Sequence, residues 1–147
     1  AATVLHGDLR LDNLLLGEGS DDIWTVDWQT VVVGNGVADA AYFVGGNLLP
    51  EVRRAHEDDL VRHYHQALVD RGVADLTWDE CWARYRHGTW HGVYLCVAAA
   101  MLVEQTERGD LMFSTDIDRH VRHALDLDAF DVFDRFDEST IPGASRG

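Results

Sequence analysis

The sequence predicts an α+β fold, mostly helical, in which a small β-hairpin carries polar loops and packs on a helical bundle. Three observations predict it. Short apolar runs separated by polar and glycine-rich segments fill the first forty residues. After that, apolar residues return at intervals of three and four, the spacing of one helix face. No internal repeat or low-complexity segment breaks this order, so the 147 residues read as one domain or part of one.

Taken in order, Thr3-Val4-Leu5 reads as a short buried strand, and a polar loop runs from His6 to Asp12. Leu14-Leu15-Leu16 is a second strand, closed by the turn-forming run Gly17-Glu18-Gly19-Ser20-Asp21-Asp22. Ile23-Trp24-Thr25-Val26 is a third strand and delivers Asp27 at its C-terminal end. After Gly34-Asn35-Gly36 a short helix is expected over 37–44, stopped by Gly45-Gly46. Pro50 suits a helix start, with Val52, Leu60, Val61, Tyr64 and Leu68 on its apolar face and Arg71-Gly72 at its end. Thr77 can cap a long helix over 78–104, with Trp82, Tyr85, Val93, Val97, Met101 and Leu102 inward. Asp110 opens a last helix on which Ile117, Val121 and Leu125 repeat every four residues. Glu57, Asp58 and Asp59 read as a solvated helix face, and the later acids Asp126, Asp128, Asp131, Asp134 and Asp137 read the same way.

The formal net charge of −14 argues against nucleic acid and anionic membrane as partners, since both call for basic patches. Excess acid keeps a chain soluble and can also draw a cationic substrate into a cleft. The longest apolar stretch, 93–103, is shorter than the roughly 20 residues of a bilayer span. No signal peptide opens the chain, so a cytoplasmic location is expected. Cys81 and Cys96 lie on one predicted helix, roughly 22 Å apart at 1.5 Å per residue, too far to bridge. Both are expected to be buried free thiols of a reducing compartment.

The segment with chemical content is His6-Gly7-Asp8-Leu9-Arg10-Leu11-Asp12-Asn13, with Asp27 following at the end of the next strand but one. Phosphoryl transfer needs one carboxylate to take or orient the proton of the attacking hydroxyl. It also needs oxygen-bearing side chains to hold Mg2+ against the phosphates. A hairpin would gather Asp8, Asn13 and Asp27 at one edge. The protein-kinase catalytic loop has the same Asp-to-Asn interval and a second metal-binding Asp downstream.

His6-Gly7-Asp8 with Asn13 resembles the H-G-D-x-x-x-x-N loop of the aminoglycoside phosphotransferase and choline-kinase-like superfamily. Val26-Asp27-Trp28-Gln29 is similar to that superfamily's strand ending in Asp-Trp. Gly34 with Asp39-Ala40-Ala41 resembles its G-x-x-x-x-D-L-A signature, with Ala40 in place of Leu. The resemblance implies a protein-kinase-like C-terminal lobe that uses ATP and Mg2+ to phosphorylate a hydroxyl of a small molecule. It implies Asp8 as catalytic base, Asn13 and Asp27 as magnesium and nucleotide ligands, and Arg10 on the transferring phosphoryl. His6 would orient the loop by hydrogen bonds, and Asp39 would anchor its backbone from the following helix.

The expected organisation is a catalytic loop and metal-binding hairpin over 1–36, a helical part of the same lobe over 37–135, and a flexible tail over 136–147. All twelve basic residues are Arg, so the sequence holds no lysine for a second clamp on ATP. Nor does a glycine-rich hairpin precede the loop. The expectation is therefore that the N-terminal nucleotide lobe is missing, that the isolated chain is inactive, and that exposed apolar surface can drive self-association. Among the five tryptophans, Trp28 and Trp90 are the ones expected to face a cleft, and His87 or His91 can line a pocket. His87 with His91, and His63 with His65, have zinc-like spacing but lack a third ligand in range, so zinc is not expected. Two rival functions follow from the same residues. One is a metal-dependent hydrolase built on His6, Asp8, Asp27 and Asp39, and the other is a non-enzymatic kinase-like binding fragment.

Overall fold

Polar turns dominate the first third, so its strands stay short. The computed structural model describes residues 2–19, 21–104 and 106–131, and the tail expected over 136–147 lies outside them. Strands β1 (Thr3–Leu5), β2 (Leu14–Leu16), β3 (Ile23–Thr25) and β4 (Val32–Gly34) form two antiparallel pairs. In the hairpin β2–β3, Leu14 faces Thr25 and Leu16 faces Ile23. The second pair is β1–β4, with Thr3 opposite Gly34 and Leu5 opposite Val32. β4 was not expected. Nor is β1 a buried strand, since only Leu5 of its three residues is buried.

Four helices follow: α1 (Val37–Asn47), α2 (Pro50–Asp70), α3 (Trp78–Leu102) and α4 (Glu107–Asp126). α1 does not stop at Gly45-Gly46. The imidazoles of His123 and His120 pack directly against these glycines, and a Cβ at Gly45 would overlap His123. The pair therefore makes room for rings while the helix runs on to Asn47. α2 starts on Pro50 as its restricted φ favours. α3 opens with a capping box: the Thr77 hydroxyl accepts from the Glu80 amide, and the Glu80 carboxylate reaches back to the Thr77 amide. α4 begins three residues before Asp110, because the Thr106 hydroxyl accepts from the Gly109 amide and caps the helix there.

The core gathers Val37, Ala41 and Val44 of α1, Val61 of α2, Leu76, and Cys81 and Tyr85 of α3. Both cysteines are free and buried. Among the described residues no helix is long and apolar enough to cross a membrane. Two expected inward faces are wrong. Val97, Met101 and Leu102 point outward, the last two 80% and 85% exposed, because α3 overruns the helices it packs on. On α4 the residues turned inward are His120, His123 and Ala124, while Val121 and Leu125 are exposed.

That inversion on α4 has a polar cause. Glu57 and Asp126, expected on solvated faces, belong instead to an ionic network between α2, α3 and α4. Arg53 is 1% exposed, and its guanidinium donates to Glu57 at 2.7 Å and to Asp126. Glu57, 6% exposed, also accepts from the Tyr85 hydroxyl at 2.8 Å and lies 2.5 Å from His123 Nε2. Arg54 adds a fork to Asp126 at 2.7 and 3.2 Å. Burial pushes the Glu57 carboxyl up, but hydrogen bonds from His123 and Tyr85 and the Arg53 charge outweigh it, leaving the group below the usual carboxylate range. Buried charges persist when paired and hydrogen-bonded in this way.

Candidate active site

The loop between β1 and β2 carries short polar side chains that cannot bury themselves, so its shape is fixed by bonds from elsewhere to its backbone. Asp39, in the first turn of α1, accepts from the His6 amide at 2.7 Å and from the Gly7 amide at 3.0 Å, one carboxylate oxygen to each. His6 Nε2 donates to the Val26 carbonyl at 2.8 Å, and Nδ1 accepts from the Asp8 amide at 3.3 Å. A carbonyl can only accept, so the proton sits on Nε2 and Nδ1 is free to receive. The His6 ring also lies tilted against Trp28, centroids 4.7 Å apart. On the far side His91 Nε2 donates to the Gly7 carbonyl at 2.7 Å, the Thr30 hydroxyl donates to the His6 carbonyl at 2.9 Å, and the Leu11 amide donates to Asn47 at 2.9 Å. Gly7 has φ +83°, and a Cβ there would overlap the Thr30 carbonyl. Only glycine fits this position.

The clamped loop presents Asp8 with both oxygens engaged. Oδ1 accepts from the Tyr42 hydroxyl at 2.8 Å, and Oδ2 lies 3.4 Å from the Asn13 amide nitrogen and 3.9 Å from Arg10 Nε. Asn13 is buried, and its Nδ2 bonds the Asp8 carbonyl at 2.9 Å. Arg10 sits between carboxylates, its other end 3.8 Å from Asp12. Its Nε is buried without a hydrogen bond among the described residues. Burial and the bond to Asp8 push the Tyr42 phenol far above its ordinary range, so it stays a neutral donor.

Asp27 reaches the loop through its neighbour. The Val26 amide donates to the Asn13 carbonyl at 3.0 Å while the Val26 carbonyl takes His6, which leaves Asp27 next in the chain. Its backbone is left-handed, φ 64° and ψ 59°, a conformation that Asp tolerates better than most residues and that functional turns often hold. The carboxylate makes no hydrogen bond or ion pair with Asp8, Asn13 or Arg10. The structure therefore joins Asp8, Asn13 and Arg10 by side-chain contact and joins His6 and Asp39 at the loop base, while Asp27 follows Val26, whose backbone bonds Asn13 and His6.

Asn13 and Asp27 are the side chains here with oxygens of the kind a magnesium ion takes. Among the described residues no three His, Cys, Asp or Glu side chains gather to cage a metal. Mg2+ seldom asks for such a cage, since it keeps several waters and takes one or two protein oxygens plus phosphate. Asn13 commits its NH2 to Asp8, which leaves the amide oxygen as the free end, and Asp27 offers an exposed carboxylate.

Two side chains beside Asp8 escaped the sequence reading. Tyr42 lies three residues after Asp39, hence on the same face of α1, which is the signal that could have found it. Asp116 of α4 lines a cleft of about 210 Å³ together with Asp8, Arg10 and Tyr42. Nothing local marks it, because the cleft closes only when α4 packs. His91 bonds the loop at the Gly7 carbonyl and is not among the residues that line the cleft beside Asp8. Trp28 is half exposed beside His6, whereas the Trp90 indole donates to the Ala129 carbonyl at 2.6 Å and packs on Phe130, away from the cleft.

Comparison with known proteins gives one match. The ecdysteroid kinase-like family model covers residues 1–76, the span that holds both strand pairs, the clamped loop, Asp27 and Asp39. No curated protein and no solved structure matches the chain. The matched span covers half of the sequence and the whole clamped loop, though not His91 that bonds it, and the chain belongs to the ecdysteroid kinase-like family, within the wider group of protein-kinase-like and choline-kinase-like proteins.

Proposed function

We propose that this chain is the catalytic part of an ATP-dependent phosphotransferase whose acceptor is a hydroxyl of a small molecule. The observation that carries the reading is the single clamped loop on which Asp8, Asn13 and Arg10 meet, with Asp27 one residue after the Val26 that bonds this loop. In the step, the acceptor oxygen attacks the γ-phosphorus, the bond to the β–γ bridging oxygen breaks, and ADP leaves. The hydroxyl proton passes to the Asp8 carboxylate. Tyr42 and Asn13 hold that carboxylate in one orientation, and the Arg10 guanidinium beside it donates to the phosphoryl oxygens as charge shifts onto them. Magnesium bound to Asn13 and Asp27 would neutralise the β- and γ-phosphates. His6 and Asp39 act at one remove, by fixing the backbone.

The hydrolase alternative needs His6 and Asp39 as metal ligands. Both ring nitrogens of His6 and both carboxylate oxygens of Asp39 are already committed to holding the loop, which disfavours it. The sequence contains no lysine. The second clamp on the triphosphate is therefore supplied from outside these 147 residues, and the isolated polypeptide turns over no substrate. The test is transfer of labelled γ-phosphate from Mg·ATP to a panel of small alcohols by the protein in its full reading frame. Asp8→Asn should abolish transfer and leave Mg·ATP binding intact; transfer at an undiminished rate would remove Asp8 as the base. A complete absence of transfer by the unaltered protein, with Mg·ATP unbound, would favour the binding-fragment alternative.

A further inference from the structure

The cleft beside Asp8 has an uneven balance of satisfied and unsatisfied charge. Asp8, Arg10, Thr30 and Tyr42 line it, together with Leu95, Ala99, Met112 and Phe113 from α3 and α4. Asp116 lines it too, and also lines a smaller polar recess of about 130 Å³ shared with Asp12, Arg119 and His120. Both arginines here have partners. Arg10 lies between Asp8 and Asp12, and Arg119 donates to the Gly46 carbonyl at 2.7 Å. Asp116, a half-buried carboxylate, has neither a hydrogen bond nor an ion pair within 4 Å among the described residues. Burial raises its pKa, with Arg10 and Arg119 pulling the other way, as expected of a carboxylate short of donors. At about 210 Å³ the cleft falls below the roughly 300–1,000 Å³ of pockets for drug-sized ligands, so its occupant is small.

We infer that Asp116 is the specificity-determining residue for the acceptor: it accepts a hydrogen bond from a second polar group of a small amphiphilic alcohol and turns away alcohols that carry an anionic group. The acceptor's reacting hydroxyl then lies at Asp8, its hydrocarbon body lies on Met112, Phe113, Leu95 and Ala99, and its second donor meets Asp116. The inference rests on the phosphotransferase reading, since it takes the cleft beside Asp8 as the acceptor site. The donor can be a neutral hydroxyl or an ammonium, and the two share one chemistry at Asp116. An anionic group would meet the Asp116 carboxylate, while Arg10 is drawn to Asp8, Asp12 and the transferring phosphoryl and Arg119 is bonded to the Gly46 carbonyl.

The test uses three matched rings with the 147-residue chain: cyclohexane-1,2-diol, 2-aminocyclohexanol and 2-hydroxycyclohexanecarboxylate. Each is titrated while amide resonances are followed by nuclear magnetic resonance, and Mg·ATP is titrated into a parallel sample. The diol, the amino alcohol or both should shift residues 95–99 and 112–116, and the hydroxy acid should not. A stronger response to the amino alcohol identifies ammonium as the preferred donor, and an equal response identifies a neutral contact. Asp116→Asn, an isosteric change, should weaken the donor ligands roughly tenfold to a hundredfold, the usual worth of a hydrogen bond to a charged group. It should also admit the hydroxy acid. An unchanged spectrum elsewhere shows that the variant is folded, and Asp116→Glu gives a second variant that keeps the charge and should keep the selection. Equal binding of all three rings, or donor affinities unmoved in Asp116→Asn, overturns the inference. If Mg·ATP still perturbs Asn13 and Asp27 in that case, the selectivity is wrong and the phosphotransferase reading stands; if it perturbs neither, and the protein in its full reading frame transfers no phosphate from Mg·ATP, the reading itself fails.

Discussion

The catalytic loop and the α2–α4 interface solve the same problem, the placement of charge, in opposite ways. In the loop, ionic and polar side chains are bonded mainly to backbone: Asp39 to two amides, His91 and Thr30 to two carbonyls, Asn47 to a third amide. In the interface Arg53, Glu57, Tyr85 and His123 are all buried and bond to one another. Bonds to backbone fix the shape of a chain segment and leave side chains free for chemistry. Bonds among buried side chains instead fix the angle between helices. The difference assigns the loop to reactivity and the network to the placement of α4, which carries Asp116.

That contrast can be broken at either end. The largest effect is expected from Glu57→Ala, which leaves Arg53 buried with one partner fewer and His123 without its acceptor. Loss of one member of a buried pair costs about 3–5 kcal/mol, read as a lower urea midpoint. Replacing Arg53 and Glu57 together by Met and Leu should recover much of it, and a double variant as unstable as Glu57→Ala would show that the network acts otherwise. Asp39→Ala comes next. It strips two amides of a charged acceptor, at a cost of about 3 kcal/mol, and the His6 and Gly7 amides should exchange with solvent far faster than those of α3. Protection that persists there would mean that Asp39 does not clamp the loop.

The smallest of these effects is a pH dependence. His120 is buried, stacks on Tyr42 at 5.0 Å, and has its Nδ1 unpartnered among the described residues. Burial, helped by the neighbouring His123, His91 and Arg119, lowers its pKa to about 4. The folded state thus resists a proton that the unfolded chain takes near pH 6.5. Its contribution is fully present above that value and fades as pH falls toward 4. Between pH 7 and pH 5 about 2 kcal/mol should be lost through this group. His120→Gln should flatten that slope, and an unchanged slope would assign the dependence to another group.

How much could be read beforehand follows the same divide. His6, Asp8, Asn13, Asp27 and Asp39 stand at fixed short spacings, because a loop that gathers its groups through one hairpin must carry them in sequence. The hairpin itself and the Thr77 cap are local signals of the same kind. The network is not local: Arg53 reaches Asp126 across 73 positions, so Glu57 looks like its exposed neighbours Asp58 and Asp59 until α4 is in place. Gly45-Gly46 reads as a stop because a glycine shows that space is needed, not whether a solvent gap or a histidine ring fills it. β4 is illegible for a third reason. Val32 and Val33 are exposed, so burial imposes no alternation on them, and their pairing with β1 is set by the intervening turns.

The central claim is that one magnesium–triphosphate unit is served by Asp8, Asn13 and Asp27 together. It is tested most directly by substituting Mn2+ for Mg2+ with ATP and following paramagnetic broadening of amide resonances. The account predicts that broadening starts at Asn13 and Asp27, spreads to Asp8, and is lost from all three in Asp27→Ala. Broadening that begins on the acidic faces of α2 or α4 and leaves Asn13 and Asp27 sharp would contradict it.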